Sequence, residues 1–100
     1  MKILVKDVIQ SKFAISDEKG TILYKEIVSE IDKSEILELD FSGIMTTIST
    51  FFNSSYGLLF KTYPKEELDK KIRFTNTKEI TKMQIEAVRE IAIKFYNKEK

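Results

Sequence analysis

The feature that most constrains the fold is the short apolar run ILELDF at residues 36–41, which ends abruptly at Ser42-Gly43. A run so short and so rich in bulky apolar side chains is typical of a buried strand, because a helix needs a longer segment. Branched apolar runs at residues 3–9 and 72–75 predict two further strands, and residues 12–15 predict a short one. We therefore expect about four strands.

A segment with helical spacing of apolar residues lies between the second and third of these strands. Ser16 is a good N-cap for it, because its hydroxyl can accept a hydrogen bond from a free backbone amide, and two acidic residues follow it. Gly20 weakens the first turn of this helix. Residues 17–20 could therefore form a turn instead, with the helix beginning at Thr21.

Two more helices and a helical turn are predicted in the second half of the chain. Residues 51–63 form a largely apolar segment with Ser49 or Thr50 as N-cap, and Pro64 ends it and starts a helical turn to about residue 71. Residues 76–79 have the order of a capping box, so the last helix should open there. The face of this helix expected to pack on the core is Ile80, Met83, Ala87, Ile91 and Phe95, widened by Val88, Ala92 and Tyr96.

Strands that alternate with helices predict a small α/β domain. We expect a mixed, mostly parallel sheet with three main helices packed chiefly on one face, in a single domain over residues 1–100 with a frayed tail at 97–100. The predicted core is Leu37, Leu39, Phe41, Phe52, Leu59, Ile72, Phe74, Val88 and Ile91.

Composition argues against most catalytic and metal-binding functions. The chain has no histidine and no cysteine, so the usual proton shuttle, thiolate nucleophile and zinc ligands are missing, and we expect no enzyme activity, metal or cofactor. A net charge of +1 provides no field that would attract nucleic acid. No apolar run reaches the length of a membrane span and no signal peptide is recognisable, so we expect a cytoplasmic protein that binds neither nucleic acid nor membrane.

The cluster of serine and threonine residues that follows the apolar run at 36–41 is the main candidate for a functional site. Ser49 and Thr50 are expected to cap a helix, or to act as phosphoacceptors. Of the adjacent Phe51 and Phe52, one should enter the core, and the other should contribute to an exposed apolar patch. Asp40 is expected to tie down the neighbouring loop rather than to bind a metal ion, because it has no clustered partner.

The segment at residues 39–44, LDFSGI, resembles the strand end and loop of the STAS domain, the family named for sulphate transporters and anti-sigma-factor antagonists. Ser49-Thr50 falls where that family carries two hydroxyl residues at a helix start. The similarity is closest to small bacterial STAS-like proteins of uncharacterised function, which share a Leu-Asp-Phe-x-Gly strand end and a turn like residues 49–53. It extends to residues 13–16 and to Asn76, and so covers most of the chain.

The resemblance implies a non-enzymatic bacterial regulatory or signalling module that binds a protein partner. The partner that it implies is an ATP-binding, kinase-like protein of the anti-sigma type, with Thr50 or Ser49 as phosphoacceptor. Ile48 replaces the family's aspartate and Phe51 its glycine, which weakens the case for the phosphorylation switch. An alternative is a domain that binds a nucleotide or anionic ligand at the carboxyl end of the sheet. The residues expected to bind the partner are Asp40, Ser42, Gly43, Ser49, Thr50, Phe51 and Asn53.

Overall fold

A three-stranded parallel sheet carries the fold, and its central strand comes from the apolar run at residues 36–41. The computed structural model describes residues 1–97, so most of the predicted tail lies outside the described residues. The strands are β1 (Lys2–Leu4), β2 (Phe13–Ala14), β3 (Leu37–Asp40), β4 (Thr46–Thr47) and β5 (Ile72–Thr75). The helices are α1 (Val5–Ile9), α2 (Asp17–Ile31), α3 (Ser49–Asn53), α4 (Tyr56–Leu59), α5 (Lys65–Lys71) and α6 (Glu79–Asn97).

The sheet has the order β1-β3-β5, and burial alternates along its strands. Ile3, Leu39 and Phe74 lie side by side in register, and all three are buried or half-buried. The neighbouring register row is more exposed and polar, and consists of Lys2, Glu38 and Arg73. Because successive side chains of a strand point to opposite faces, the core lies against one face of the sheet, as predicted for an α/β domain with helices chiefly on one side.

The N-terminus of α2 confirms the prediction of a Ser16 cap. The Ser16 hydroxyl accepts a hydrogen bond of 3.1 Å from the backbone amide of Lys19, and α2 begins at Asp17. The alternative of a turn at residues 17–20 is therefore wrong. Gly20 is a buried helical residue at which α2 meets the chain near Ser54.

The first predicted strand is only partly correct. Residues 2–4 pair with β3, but residues 5–9 turn into α1, which buries Val5 and Ile9 four positions apart. Gln10 ends this helix in a left-handed conformation, with φ of 56°. Residues four positions apart lie on the same face of a helix and also on the same face of a strand. The apolar composition of residues 3–9 therefore did not distinguish a strand from a helix.

The single helix predicted over residues 51–63 is also wrong. The segment forms α3 and α4, with a break at Ser54 and Ser55. The Ser55 hydroxyl is buried and donates a hydrogen bond of 2.8 Å to the Phe51 carbonyl oxygen. Serine hydroxyls compete with the backbone for such carbonyl groups, which explains why the helix does not continue.

The predicted packing face of helix α6 is only partly correct: Val88 and Ala92 are buried and Tyr96 is half-buried against the core, but the centre of the predicted face is exposed. Its buried row is Thr81, Ile85, Val88 and Ala92, whereas Ile80, Met83, Ile91 and Phe95 are exposed at 56%, 62%, 64% and 60%. Ile91 was also assigned to the core, and that prediction is wrong. Close packing against α4 explains the choice: a Cβ atom on Gly57 would lie only 3.0 Å from a methyl carbon of Val88.

Most of the other predicted core residues are confirmed. Phe74 is half-buried against the core, and the remaining seven are buried: Leu37, Leu39, Phe41, Phe52, Leu59, Ile72 and Val88. In the part of the chain that the structure describes, no helix combines the length and apolar character needed to cross a membrane.

The contact at Gly20 provides a test of the packing between α2 and α3. Alanine normally stabilises a helix interior by about 1 kcal/mol relative to glycine. Here a Cβ atom would overlap the Ser54 hydroxyl oxygen and lie 2.5 Å from the Phe51 carbonyl oxygen. We therefore expect Gly20→Ala to lower the free energy of unfolding by roughly 1–3 kcal/mol, as overpacking does.

Chemical denaturation of wild type, Gly20→Ala and the control Thr21→Ala would measure this effect. Thr21 is exposed on the same helix, so its replacement should change stability little. A Gly20→Ala variant as stable as wild type would show that α3 moves away from α2 at little cost.

Candidate functional site

A second, two-stranded sheet lies beside the segment that was predicted to bind a partner. β2 and β4 pair in parallel, with Phe13 opposite Thr46 and Ala14 opposite Thr47. The Ile48 amide extends the ladder with a hydrogen bond of 3.1 Å to the Ala14 carbonyl oxygen. Strand β4 was not predicted, because two threonines between longer elements carry no periodicity. The pairing brings residues 13–15 next to residues 46–48.

Burial alternates on this small sheet, and apolar side chains occupy the outer positions. Ala14 and Thr47 are buried. The exposed apolar residues are Phe13 at 48%, Ile15 at 42%, Met45 at 56% and Ile48 at 45%. We call these four residues the two-strand patch. Ile15 and Ile48 directly follow β2 and β4, so they share with Phe13 and Thr46 the outer face of this pairing. Met45 lies two positions before the buried Thr47 and does not share that face.

The inner side of the small sheet is held by a buried polar cluster. The Thr47 hydroxyl donates a hydrogen bond of 2.7 Å to the Gln84 side-chain oxygen, and the Gln84 amide donates one of 3.1 Å to the Thr47 carbonyl oxygen. The Thr47 and Thr81 hydroxyl oxygens lie 2.9 Å apart. Because the Thr47 proton is already used, Thr81 is the donor in that bond. These bonds attach β4 to α6.

The hydroxyl groups of Ser49 and Thr50 do not cap a helix, contrary to the prediction. Helix α3 begins at Ser49, and its N-cap is Ile48, which offers no side-chain hydrogen bond. Among the described residues, neither hydroxyl has a hydrogen-bond partner. Thr50 is exposed and Ser49 is half-buried. The Thr50 hydroxyl is therefore available at the surface, beside the two-strand patch.

Phe51 and Phe52 are both fully buried, so the prediction that one of them is exposed is wrong. Their rings meet edge to face at 5.3 Å, and Phe52 also contacts Phe41 at 5.8 Å between ring centroids. Helix α3 packs against both α2 and α6, and so it has two covered sides. Adjacent residues on such a helix can both enter the core, and the exposed apolar contact area falls on Ile48 instead.

The remaining hydroxyl groups of the segment have structural partners. The Ser54 hydroxyl bridges α3 to α2 through a hydrogen bond of 3.2 Å to the Asp17 carbonyl oxygen. Asn53 is exposed and lines a cavity of about 140 Å³ between α4 and α6, together with Gly57 and Tyr96. Asn53 therefore lies on the α6 side of α3, away from the start of the helix.

Asp40 ties down the loop that follows β3, as predicted. Its carboxylate oxygen Oδ1 accepts hydrogen bonds from the Ser42 amide at 2.9 Å, the Ser42 hydroxyl at 2.7 Å and the Asn76 side-chain amide at 2.8 Å. The Lys2 ammonium lies 3.5 Å from the other oxygen. The hydrogen bonds from Asn76 and Ser42 hold the pKa of Asp40 well below its usual range, because they favour the charged carboxylate.

The role of Asn76 differs from the predicted helix cap. Its side chain binds Asp40, and its backbone has φ of 56°, the left-handed region that asparagine tolerates better than most residues. Helix α6 begins three residues later, at Glu79. The capping-box pattern was therefore misleading, because the Asn76 side chain binds the distant carboxylate of Asp40 and does not cap α6.

Gly43 sits in the turn between Asp40 and the small sheet. The Ile44 amide donates to the Phe41 carbonyl oxygen at 3.1 Å, and Gly43 has φ of 80°. Glycine at the third position of such a turn fits the type II geometry. A larger residue at Gly43 would be strained by this left-handed backbone conformation, whereas the nearest side chain, Lys6, is flexible and could move aside.

The carboxyl end of the main sheet gives the anionic-ligand alternative no support. The buried side chain at that edge is the carboxylate of Asp40, which repels anions and already has its donors. Among the described residues, no group of three or more acidic, cysteine or histidine side chains could hold a metal ion.

Comparison with known families gives a match over much of the chain. A family model described as "STAS-like domain of unknown function (DUF4325)" matches residues 19–82, which is more than half of the chain. No curated protein and no solved structure shows significant similarity. The matched region runs from α2 to the start of α6, and so includes Asp40, the loop at 42–48 and the whole of α3.

The Asp40 network predicts a specific acid sensitivity. A carboxylate whose pKa is lowered on folding stabilises the protein above its ordinary pKa of about 3.9, and that stabilisation is lost as the pH falls toward the lower, folded-state value. We expect Asp40→Asn to reduce stability at neutral pH, and the difference from wild type to shrink as the pH falls below about 4.

Urea denaturation across this pH range would measure the difference, with Asp32→Asn as the control at an exposed aspartate. Asp32→Asn should track the wild type closely at neutral pH. If Asp40→Asn were as stable as wild type at neutral pH, the carboxylate would not be holding the loop.

Proposed function

The chain belongs to the family of STAS-like domains of unknown function, and on that premise we propose that it is a non-enzymatic regulatory module that binds a protein partner. The partner we propose is an ATP-binding, kinase-like protein of the anti-sigma type, which the resemblance at residues 39–53 implies. The contact surface is the two-strand patch, together with the loop at 42–48 and the exposed start of α3.

The observation that carries this proposal is the exposure of four apolar side chains beside a free threonine hydroxyl. Phe13, Ile15, Met45 and Ile48 remain 42–56% exposed although the chain has a well-filled core. Three of them, Phe13, Ile15 and Ile48, share one face of the small sheet, and grouped exposed apolar side chains of this kind mark contact sites on small proteins. Thr46, Thr50 and Ser42 are exposed on the same segment, and they provide the polar rim that protein interfaces usually have.

The patch is presented on a rigid support, which favours binding. The bonds of Thr47 to Thr81 and Gln84 fix its inner side, and Asp40 holds the loop that leads into it. A surface that is already ordered loses less conformational entropy when a partner docks. In contrast to the expectation from sequence, Phe51 is fully buried and so offers no contact area to a partner.

Thr50 is the phosphoacceptor we propose within this surface. Its side chain is exposed and lacks a hydrogen-bond partner among the described residues, and it follows Ile48 by two positions. A phosphate there would add nearly two negative charges next to an apolar contact, and the cost of desolvating that charge would weaken the complex. Ser49 is half-buried and is the less accessible of the two.

A regulatory role agrees with the state of the titratable groups. The three hydrogen bonds to Oδ1 of Asp40 keep this carboxylate charged, and burial raises the pKa of Tyr56 to about 12, so neither group changes its protonation state near neutral pH. The chain has no histidine or cysteine to supply general acid-base or nucleophilic chemistry.

Replacement of Ile48 tests the contact surface. We expect Ile48→Ala to weaken the complex with a candidate anti-sigma-type kinase by about 1–2 kcal/mol or more, as an interface anchor does. The thermal midpoint should change little, because the side chain is 45% exposed. Titration calorimetry with parallel thermal melts would measure both effects.

Ile36→Ala is a matched control for this experiment. Ile36 is 42% exposed, and it lies just before β3, at the opposite end of that strand from the Asp40 loop. The proposal predicts normal binding by Ile36→Ala. Equal loss of affinity in both variants, or none in Ile48→Ala, would place the contact elsewhere.

The switch is tested separately at Thr50. Incubation with the kinase and ATP should transfer phosphate to wild type and not to Thr50→Ala, whereas Thr50→Asp should weaken the complex. Ser49→Ala serves as the control and should still accept phosphate. Docking without phosphate transfer would support the binding module and reject the switch.

A further inference from the structure

Helix α6 carries an apolar stripe on its outward side, distinct from the row that it buries. The stripe consists of Ile80, Met83, Ala87 and Ile91, all of them exposed, and the three larger side chains are 56%, 62% and 64% accessible. The buried row is Thr81, Ile85, Val88 and Ala92. At a rise of about 1.5 Å per residue the stripe is roughly 16 Å long. A helix that is apolar on two sides usually packs on two sides.

The stripe is symmetric about its smallest residue. Met83 and Ile91 lie four positions before and after Ala87, and Ile80 and Lys94 lie seven positions before and after it. If two copies of α6 cross antiparallel at Ala87, Met83 of each meets Ile91 of the other. A two-fold interface needs such a self-complementary surface, and alanine at the crossing point allows the two backbones to approach closely.

The charged residues at the ends of the stripe have the signs that this arrangement needs. Glu79 lies in the first turn of α6 and Lys94 in the last. Both are exposed, and neither forms an ion pair with another described residue. In the antiparallel pair, the methylene groups of Lys94 cover Ile80 of the other copy and its ammonium reaches Glu79 of that copy. The contact occurs twice because of the symmetry. A parallel pair would instead bring like charges together.

We propose that this stripe is a homodimerisation surface, occupied by the same stripe of a second copy of the chain in antiparallel orientation. One helix face is smaller than the roughly 800 Å² per partner of a standard stable interface, so association should depend on concentration. Thr81, which binds β4, belongs to the buried row of α6, whereas Gln84 borders the stripe, four positions after Ile80 and three before Ala87. The test of the dimer uses the chain alone and does not depend on the proposed kinase partner.

Sedimentation equilibrium over a range of protein concentrations would test the dimer directly. We expect wild type to shift from monomer toward dimer, and Ala87→Glu to reduce the association constant by about tenfold or more, because two carboxylates would meet at the crossing point. Lys82→Glu also adds negative charge at an exposed position of α6, but on the side away from the stripe, and should associate normally. Wild type that stays monomeric at all concentrations would overturn the proposal.

Cysteine cross-linking would test the position of the crossing. The chain has no cysteine, so Ala87→Cys introduces a single thiol. At a two-fold crossing the two thiols lie close enough for a disulfide, which requires Cβ atoms about 3.5–4.5 Å apart. We expect rapid oxidation of Ala87→Cys to a covalent dimer and slow oxidation of the control Lys82→Cys. Equal rates would contradict a crossing at Ala87.

Charge reversal would test the antiparallel orientation. Glu79→Lys and Lys94→Glu should each weaken association, because each places like charges opposite one another, and the double variant should recover most of the loss. Thermal melts of each variant would show whether the helix itself is intact. A double variant that is weaker than either single variant would reject the Glu79–Lys94 contact and the orientation built on it.

Discussion

The buried carboxylate of Asp40 is the interaction on which the rest of the structure depends. It sits at the end of the central strand, and it binds the loop through Ser42 and the connection between β5 and α6 through Asn76. The Asp40 carboxylate therefore fixes both the loop that leads to the small sheet and the connection that leads to the last helix. Because three donors converge on a single oxygen, the carboxylate stays charged in the folded protein, and the loss of any donor would leave its charge less well solvated.

The last helix shows how a few polar bonds can select one packing face from two. Its sequence contains two apolar stripes, and the one with the larger side chains is exposed. The buried stripe begins with Thr81, which binds Thr47 of the small sheet, and passes Gly57, where α4 comes close. Hydrophobic burial is not directional, so it cannot choose between two stripes alone. Hydrogen bonds and close steric fit provide the choice.

The hydroxyl residues after β3 divide into structural and surface groups. Thr47, Ser54 and Ser55 bind other elements or nearby carbonyl groups, whereas Thr50 is left at the surface beside Ile48. The aromatic pair below them forms part of the core.

The sequence by itself determined the α/β class, the central strand, the Ser16 cap and the tie between Asp40 and its loop. These features depend on local patterns, namely apolar run length, capping chemistry and a turn at glycine. Only the tertiary structure decided that residues 5–9 are helical and that Phe51 is buried. It also decided that the Asn76 side chain donates a hydrogen bond to Asp40, and which face of α6 packs on the core. Each of those outcomes depends on a neighbour distant in sequence, and the energy of such a contact has no signature in the local pattern.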